Sequence, residues 1–463
     1  MNFNFQQEVN KRKEEIIKTL VEILQIKSVL DPTTANENMP FGKGINDALE
    51  YMLNLGQKDG FNTLQDGGYA GHIAYGEGKK IIGILCHLDV VPEGEGWMYP
   101  PYEAKIVDGK IYARGTTDDK GPTIASYYAL KIIKDLNIKL KNQIRIILGT
   151  DEETGWRGVS HYFLNNEMPD EGFAPDCNFP LVYGEKGRIA IDLKVKDNNC
   201  CEVQTDILYS LKGGKIYNAV IDYCEATTKK DLSVEFKEYL NKNNLTGDVI
   251  LDKDTYIYSI KGKSAHAMEP HKGINAGTYM CDFFSTYSHH PLVKYISKYH
   301  HLSHCCEKLG LDYNDYEMGP ITCNIGIIDL DKENSRVTLD LRYPVRYDVD
   351  KFEKTMKNIL DENNIEIFKY THKKPHYVSP ESNLVKSLYQ AYVNITNDTV
   401  NKPFTVGGGT YASMLENGVA YGAGFPGEEE LAHQVDENWS LESLFKSILI
   451  YIDAILLLGE VDA

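Results

Sequence analysis

The stretch 81–89, Ile-Ile-Gly-Ile-Leu-Cys-His-Leu-Asp, constrains the fold more than any other part of the chain. Residues 81–86 form an uninterrupted apolar run, too short to span a bilayer. Its β-branched content and the Gly/Pro-rich segment that follows predict a strand buried on both faces. Such strands belong to parallel sheets covered by helices, and in open sheets of that kind ligands sit beyond the carboxyl ends of the strands. His87 and Asp89 fall at that end, two residues apart and so on one side. That is the pattern of a metal ligand with its orienting partner.

At 463 residues the chain exceeds what one hydrophobic core usually serves, so two or more domains are expected. Asp plus Glu number 67 against 49 Lys plus Arg, giving a formal charge of −18. That balance argues against nucleic acid or an anionic membrane as a partner. Residues 1–13 are polar and unlike a signal peptide, and no apolar run is long enough for a membrane span. Nine cysteines, an odd number without Cys-x-x-Cys spacing, fit reduced thiols, so a cytoplasmic protein is expected.

Amphipathic helices are predicted over 14–26, where Ile16, Leu20 and Leu24 recur at i+4, and over 45–55. Strands are predicted over 72–75, 81–86, 110–113, 143–148 and 181–183, with a helix opening near Pro122, which suits a first-turn position. After Gly187 the style changes, and residues 189–195 alternate as a half-exposed strand does. Helices over 229–240, 274–287 and 349–363 and strands over 256–261, 321–329 and 336–342 follow. From about Val378 the buried style returns, with helices over 382–393 and 441–458 around the turn Gly407-Gly-Gly-Thr410. The chain therefore reads as α/β. A catalytic domain over 1–188 and 378–463, with a mostly parallel mixed sheet flanked by helices, is interrupted by an inserted α+β domain over 189–377.

Further acidic groups fall where the chain turns after strands: Asp118-Asp119, Glu152-Glu153, and Asp176 in Pro175-Asp-Cys-Asn-Phe-Pro180. His433 follows near the end, in Ala432-His-Gln434. Carboxylates crowded on one rim of a sheet repel each other unless a cation compensates them. Carboxylate-rich sites with a few imidazoles suit zinc or manganese. Singly each feature is weak, since an Asp-Asp pair is commonly a solvated turn and a lone histidine commonly a core residue. Five clusters in this order are specific. His300, His301, His304, Cys305 and Cys306 form another His/Cys cluster, set aside because no closed ligand set surrounds it.

The strings His87-Leu-Asp-Val-Val-Pro92, Ala113-Arg-Gly-Thr-Thr-Asp-Asp-Lys-Gly-Pro122, Asp151-Glu-Glu-Thr-Gly155 and Ala432-His-Gln434 resemble those of a known group. These are the co-catalytic metallopeptidases of the aminoacylase/carboxypeptidase superfamily (metallopeptidase family 20, clan MH). The likeness is greatest to their PepV-type dipeptidase branch and runs from about residue 14 to the end. It implies a zinc-exopeptidase-type catalytic domain with an inserted lid and two divalent metal ions per chain, Zn2+ first, Mn2+ or Co2+ as alternatives. His87 and Asp176 would complete one metal site and Glu153 with His433 the other, Asp118 bridging both. Asp89 would hold the His87 ring, and Glu152 would be the general base acting on a water shared by the ions.

In the insert, the resemblance assigns His266 of Gly262-Lys-Ser-Ala-His-Ala-Met268, with Asn218, to hold the developing oxyanion. Arg342 of Asp340-Leu-Arg-Tyr-Pro344, with Gly408, Gly409 and Thr410, would take the substrate's terminal carboxylate. The lid would close on the substrate, and a monomer is expected. The implied reaction is hydrolysis of the peptide bond of an unblocked L-dipeptide, extending to β-alanyl dipeptides such as carnosine. The alternatives are an N-acyl amino acid deacylase with the same chemistry, or a non-catalytic metal-binding protein on this fold, against which an intact Glu152 speaks. Two departures bear on substrate preference. The arginine usual shortly after the Gly-Gly-Gly-Thr turn gives way to Tyr411-Ala-Ser413-Met, and the segment after His433 reads Gln-Val-Asp-Glu-Asn.

Overall fold

The computed structural model describes residues 3–197 and 206–461. Cys200 and Cys201, counted among the thiols above, lie outside them, and the described cysteines are all free. Among the described residues no helix is long and apolar enough to cross a membrane. The chain divides into two units. One comprises the residues up to Gly184, Tyr377–Phe404 and those from Thr410 onward; the other comprises Glu185–His376 and Thr405–Gly409.

At the centre of the first unit lies the strand Ile81–His87, buried at every position. It runs parallel to Gln143–Gly149 on one side and to Glu171–Ala174 on the other. Gly418–Ala420 extends the parallel part beyond Glu171–Ala174. Antiparallel strands complete the flanks: Asn62–Asp66 and Ala70–Tyr75 at one edge, Val182–Glu185 towards the other. A strand buried on both faces needs helices over it. Lys120–Asp135 is buried along almost its whole length and packs against Lys13–Leu24 and Leu441–Gly459. The parallel strands all end at one rim, so the loops after His87, Gly149 and Ala174 meet there.

The second unit is built on eight antiparallel strands. Their order is Thr246–Asp252, Thr255–Lys261, Tyr223–Thr228, Leu208–Gly213, Thr322–Asp331, Ser335–Tyr343, Gly187–Val195 and Ile365–Lys373. Along Gly187–Val195 the apolar Ile189, Ile191 and Leu193 join one core with residues of the helices Ala276–Ser285, Pro291–Tyr299 and Val349–Glu362. The alternate positions, Arg188, Ala190 and Asp192, point to the other face, as strand geometry requires. Residues 405–409, expected with the catalytic domain, belong to this unit. Lys186 N donates to Val406 O (3.1 Å), and the Thr405 hydroxyl donates to Glu317 O (3.2 Å).

Candidate metal centre

His87 ends the central strand, fully buried, with its main-chain N–H donating to Asp119 Oδ2 at 3.1 Å. Its ring Nδ1 lies 3.0 Å from the main-chain oxygen of Asp89. A carbonyl only accepts, so Nδ1 carries a proton and, in the neutral ring, Nε2 presents its lone pair. Among the described residues that Nε2 has no hydrogen-bond partner, although Asp118 Oδ1 stands 2.9 Å away and Asp176 Oδ1 3.8 Å away. The other oxygen of Asp118 is 2.8 Å from His433 Nε2, which in turn is 3.1 Å from Glu153 Oε2. One carboxylate therefore touches both imidazoles.

The side chains fall into two groups, His87 with Glu152 and Asp176, and Asp118 with Glu153 and His433. Within each, three ligand atoms lie within 4.8 Å of one another. The donor set fits two divalent ions. Its carboxylates only accept when ionised, and they surround a buried ring nitrogen that no donor approaches.

The electrostatics point the same way. Burial, then repulsion from Asp176, raises the Glu152 carboxyl well above its ordinary range. Burial likewise raises Glu153 and Asp176. Burial would raise Asp118 too, but contacts with His433 and His87 hold it well below the usual carboxylate range. The His433 imidazole is pushed up to about 10 by Asp118 and Glu153. Without a metal the cluster holds protons, and a divalent cation can take their place.

Asp89 is buried, and its carboxylate accepts from the main-chain N–H of Glu152 (3.1 Å) and of Glu153 (3.0 Å). It shapes the turn that presents both glutamates, while its own carbonyl oxygen lies closer to the His87 ring than its carboxylate does, 3.0 Å against 3.6 Å.

Three neighbours were given no role in the site by the sequence reading. Trp156 Nε1 donates to Glu152 Oε1 at 2.9 Å. The buried Tyr411 gives its N–H to Asp176 and sets its ring edge-on to His87. Its hydroxyl lies against Gly149, where a Cβ would fall 2.0 Å from the oxygen, so a side chain there would displace the ring. The third is Glu437, fully buried. It accepts from Arg114 NH1 (2.8 Å), Gly115 N (3.1 Å), Thr117 N (2.9 Å) and the hydroxyls of Thr116 and Thr117. Only proximity in the fold reveals these partners, since Thr117 and Glu437 are 320 positions apart.

The remaining candidates lie in the second unit, except Thr410. Ala219 and His266 form an antiparallel bridge, flanked by Ala267 N donating to Asn218 O (2.9 Å), which sets Asn218 beside the His266 segment. His266 Nδ1 accepts from Met268 N (3.2 Å), so Nε2 carries the proton. Burial and then Arg342 lower its pKa, favouring the neutral ring. Arg342 is buried on the strand Ser335–Tyr343, with Nε donating to Asp340 Oδ1 (2.6 Å) and NH1 3.5 Å from Gly407 O. Gly408 and Gly409 follow in the same unit. In the first unit the Thr410 hydroxyl oxygen accepts from Ala412 N (3.2 Å). Of the cluster that was set aside, His300 is a core residue, bonded to Tyr295 OH (2.9 Å) and Cys323 Sγ (3.5 Å).

Comparison with known proteins agrees with this geometry. The profile of peptidase family M20/M25/M40 matches residues 83–457. A Staphylococcus haemolyticus (strain JCSC1435) protein named provisionally as a dipeptidase is 38% identical over 97% of this chain and 98% of its own. A Staphylococcus aureus (strain USA300) protein named in the same way is 39% identical over 97% of this chain and 98% of its own. Among solved structures the fold matches an M20 family metallo-carboxypeptidase from Sulfolobus solfataricus (TM-score 0.58, 18% identity, 96% of this chain and 99% of that one). It also matches human carnosine dipeptidase 1 (TM-score 0.57, 16% identity, 98% of both chains). A buried strand ending in His87, a carboxylate shared by two imidazoles and a profile match over most of the chain have one explanation: this is a metal-dependent hydrolase belonging to peptidase family M20/M25/M40.

Proposed function

We propose that the protein hydrolyses the single peptide bond of unblocked L-dipeptides, β-alanyl dipeptides of the carnosine kind included. The observation that carries the reading is Asp118 standing between His87 and His433, with Glu152, Glu153 and Asp176 around them. In this reading His87 and Asp176 hold one divalent ion, Glu153 and His433 the other, and Asp118 both. Zn2+ is the ion first proposed, with Mn2+ or Co2+ able to substitute. Such ions polarise a carbonyl and acidify water.

The chain's own residues do the rest. Glu152, raised by burial and steadied by the Trp156 indole, would accept a proton from the attacking water and return it to the leaving amine. Asp89 keeps the turn of Glu152 and Glu153 in position. His266, favoured in its neutral form with the proton on Nε2, and Asn218 are suited to donate to the oxygen that gains charge. Arg342, its guanidinium oriented by Asp340, suits the free carboxylate that ends a dipeptide, with Gly408, Gly409 and Thr410 assigned to the same group. The names of the staphylococcal relatives support a dipeptide over other substrates.

The second reading, an N-acyl amino acid deacylase, shares this chemistry. A panel of free dipeptides, β-alanyl-histidine, and N-acetyl and N-succinyl amino acids separates the two. Cleavage of free dipeptides is expected, and turnover confined to the N-acyl compounds would replace the proposal. Glu152→Gln is expected to keep its metal and lose about 10²–10⁴ in kcat.

A further inference from the structure

On the polar face of the second unit's sheet, three cations stand in one row across adjacent strands. Arg188 pairs with Arg342 on one side and with Lys373 on the other, and residues opposite each other on antiparallel strands share a face. Asp340, two residues before Arg342 and fully buried, binds both arginines. One oxygen accepts from Arg342 Nε at 2.6 Å, the other from Arg188 Nε at 2.7 Å. A single acid thus fixes two guanidinium groups by the nitrogen nearest the stem. The terminal nitrogens of Arg188 have no partner among the described residues, and its side chain is 37% exposed. Lys373 differs, because Glu185 lies within reach of it: a Cβ on Gly409 would fall 2.5 Å from Lys373 Nζ and 3.6 Å from Glu185 Oε2. The charges of both arginines are felt at His266, so they lie near it. One carboxylate against two guanidinium groups leaves positive charge to be met by a ligand.

We propose that Arg188 is a second cation of the substrate's C-terminal subsite, and that the subsite selects dipeptides ending in Asp or Glu. The terminal carboxylate goes to Arg342 and the side-chain carboxylate to the free fork of Arg188. The inference rests on the reading of Arg342 given above and adds the substrate class.

The test compares Ala-Glu with Ala-Gln, and Ala-Asp with Ala-Asn, isosteric pairs that differ in charge. The metal-loaded enzyme is expected to favour the acid by about tenfold in kcat/KM, through KM, the size of one charge-assisted bond at a partly exposed site. Arg188→Gln is expected to abolish that ratio and Arg188→Lys to keep part of it. A purely structural role would lower acid and amide peptides together and leave the ratio unmoved, and that result overturns the proposal, as does a native enzyme indifferent to the charge. If no dipeptide is cleaved, the dipeptidase reading fails separately. Calorimetry with N-acetylglutamate and N-acetylglutamine then decides: tighter binding of the acid that Arg188→Gln removes supports the subsite, and equal binding refutes it.

Discussion

Asp118 can face two imidazoles because its own loop is held from outside the cluster. Glu437 collects the N–H groups of Gly115 and Thr117, two hydroxyls and the Arg114 guanidinium. The same Arg114 reaches the main-chain oxygens of Gln434 (3.1 Å) and His433 (3.5 Å). His433 sits in the left-handed region, at φ 65°, a conformation costly for a residue with a side chain. One ion pair, both partners buried, therefore ties the loop of Asp118 to the loop of His433. Removing one partner strands a buried charge at a cost of about 3–5 kcal/mol. Glu437→Ala is expected to lose that much unfolding free energy by chemical denaturation and to bind metal more weakly; an unchanged midpoint would contradict the role. The residues now gathered around Asp118 stand in short strings whose chemistry is visible in the sequence. Glu437 and Arg188 matter through partners that only the fold brings near, and Trp156, four residues after Glu152, carries no chemistry of its own that would single it out.

The long buried elements of the first unit were legible because burial on nearly all sides gives them continuous apolar runs, whereas short ones such as Glu171–Ala174, Gly418–Ala420 and Arg157–Asn165 were not anticipated. Leu441–Gly459 is of the long kind: apolar almost throughout, it opens on Ser440, whose hydroxyl oxygen accepts from Ser443 N at 2.9 Å. Ser440→Ala is expected to cost about 1 kcal/mol, and Ile455→Ala, in the core, about 2–5 kcal/mol. Thermal unfolding that ranks the two in the opposite order would contradict this packing. In the second unit the amphipathic helices Ser233–Lys242, Ala276–Ser285 and Val349–Glu362 and the strands Thr255–Lys261, Thr322–Asp331, Ser335–Tyr343 and Gly187–Val195 were legible, each within a few residues of its expected bounds. Leu208–Gly213, Tyr223–Thr228, Thr246–Asp252 and Ile365–Lys373 were not anticipated. The last two are sheet edges with mostly exposed side chains, so burial writes little period into their sequence. The helix Pro291–Tyr299, nine residues long, was missed for its brevity. The Gly-rich segment 405–409 was misplaced because its hydrogen bonds, not its composition, join it to the second unit.

At the scale of the whole molecule, the carboxylate-rich rim holds a proton on His433 where a cation could bind. Metal-free His433 keeps its proton up to about 10, because Asp118 and Glu153 favour the imidazolium. In the proposed metal site His433 would give the lone pair on Nε2, so metal binding would release that proton at any lower pH. Apparent affinity is therefore expected to rise with pH through the neutral range. Calorimetric titration in two buffers of different ionisation heat is expected to count at least one proton released per chain; a pH-independent affinity would contradict the arrangement.

The central claim is that one rim of one sheet cages a pair of divalent ions on which hydrolysis depends. Metal analysis of the purified protein, followed through chelation and reloading while dipeptide cleavage is measured, tests it most directly. Two ions per chain, activity abolished on stripping and restored by Zn2+ or Mn2+, is the expected result. Full activity in chelator, or with no bound metal, would contradict it.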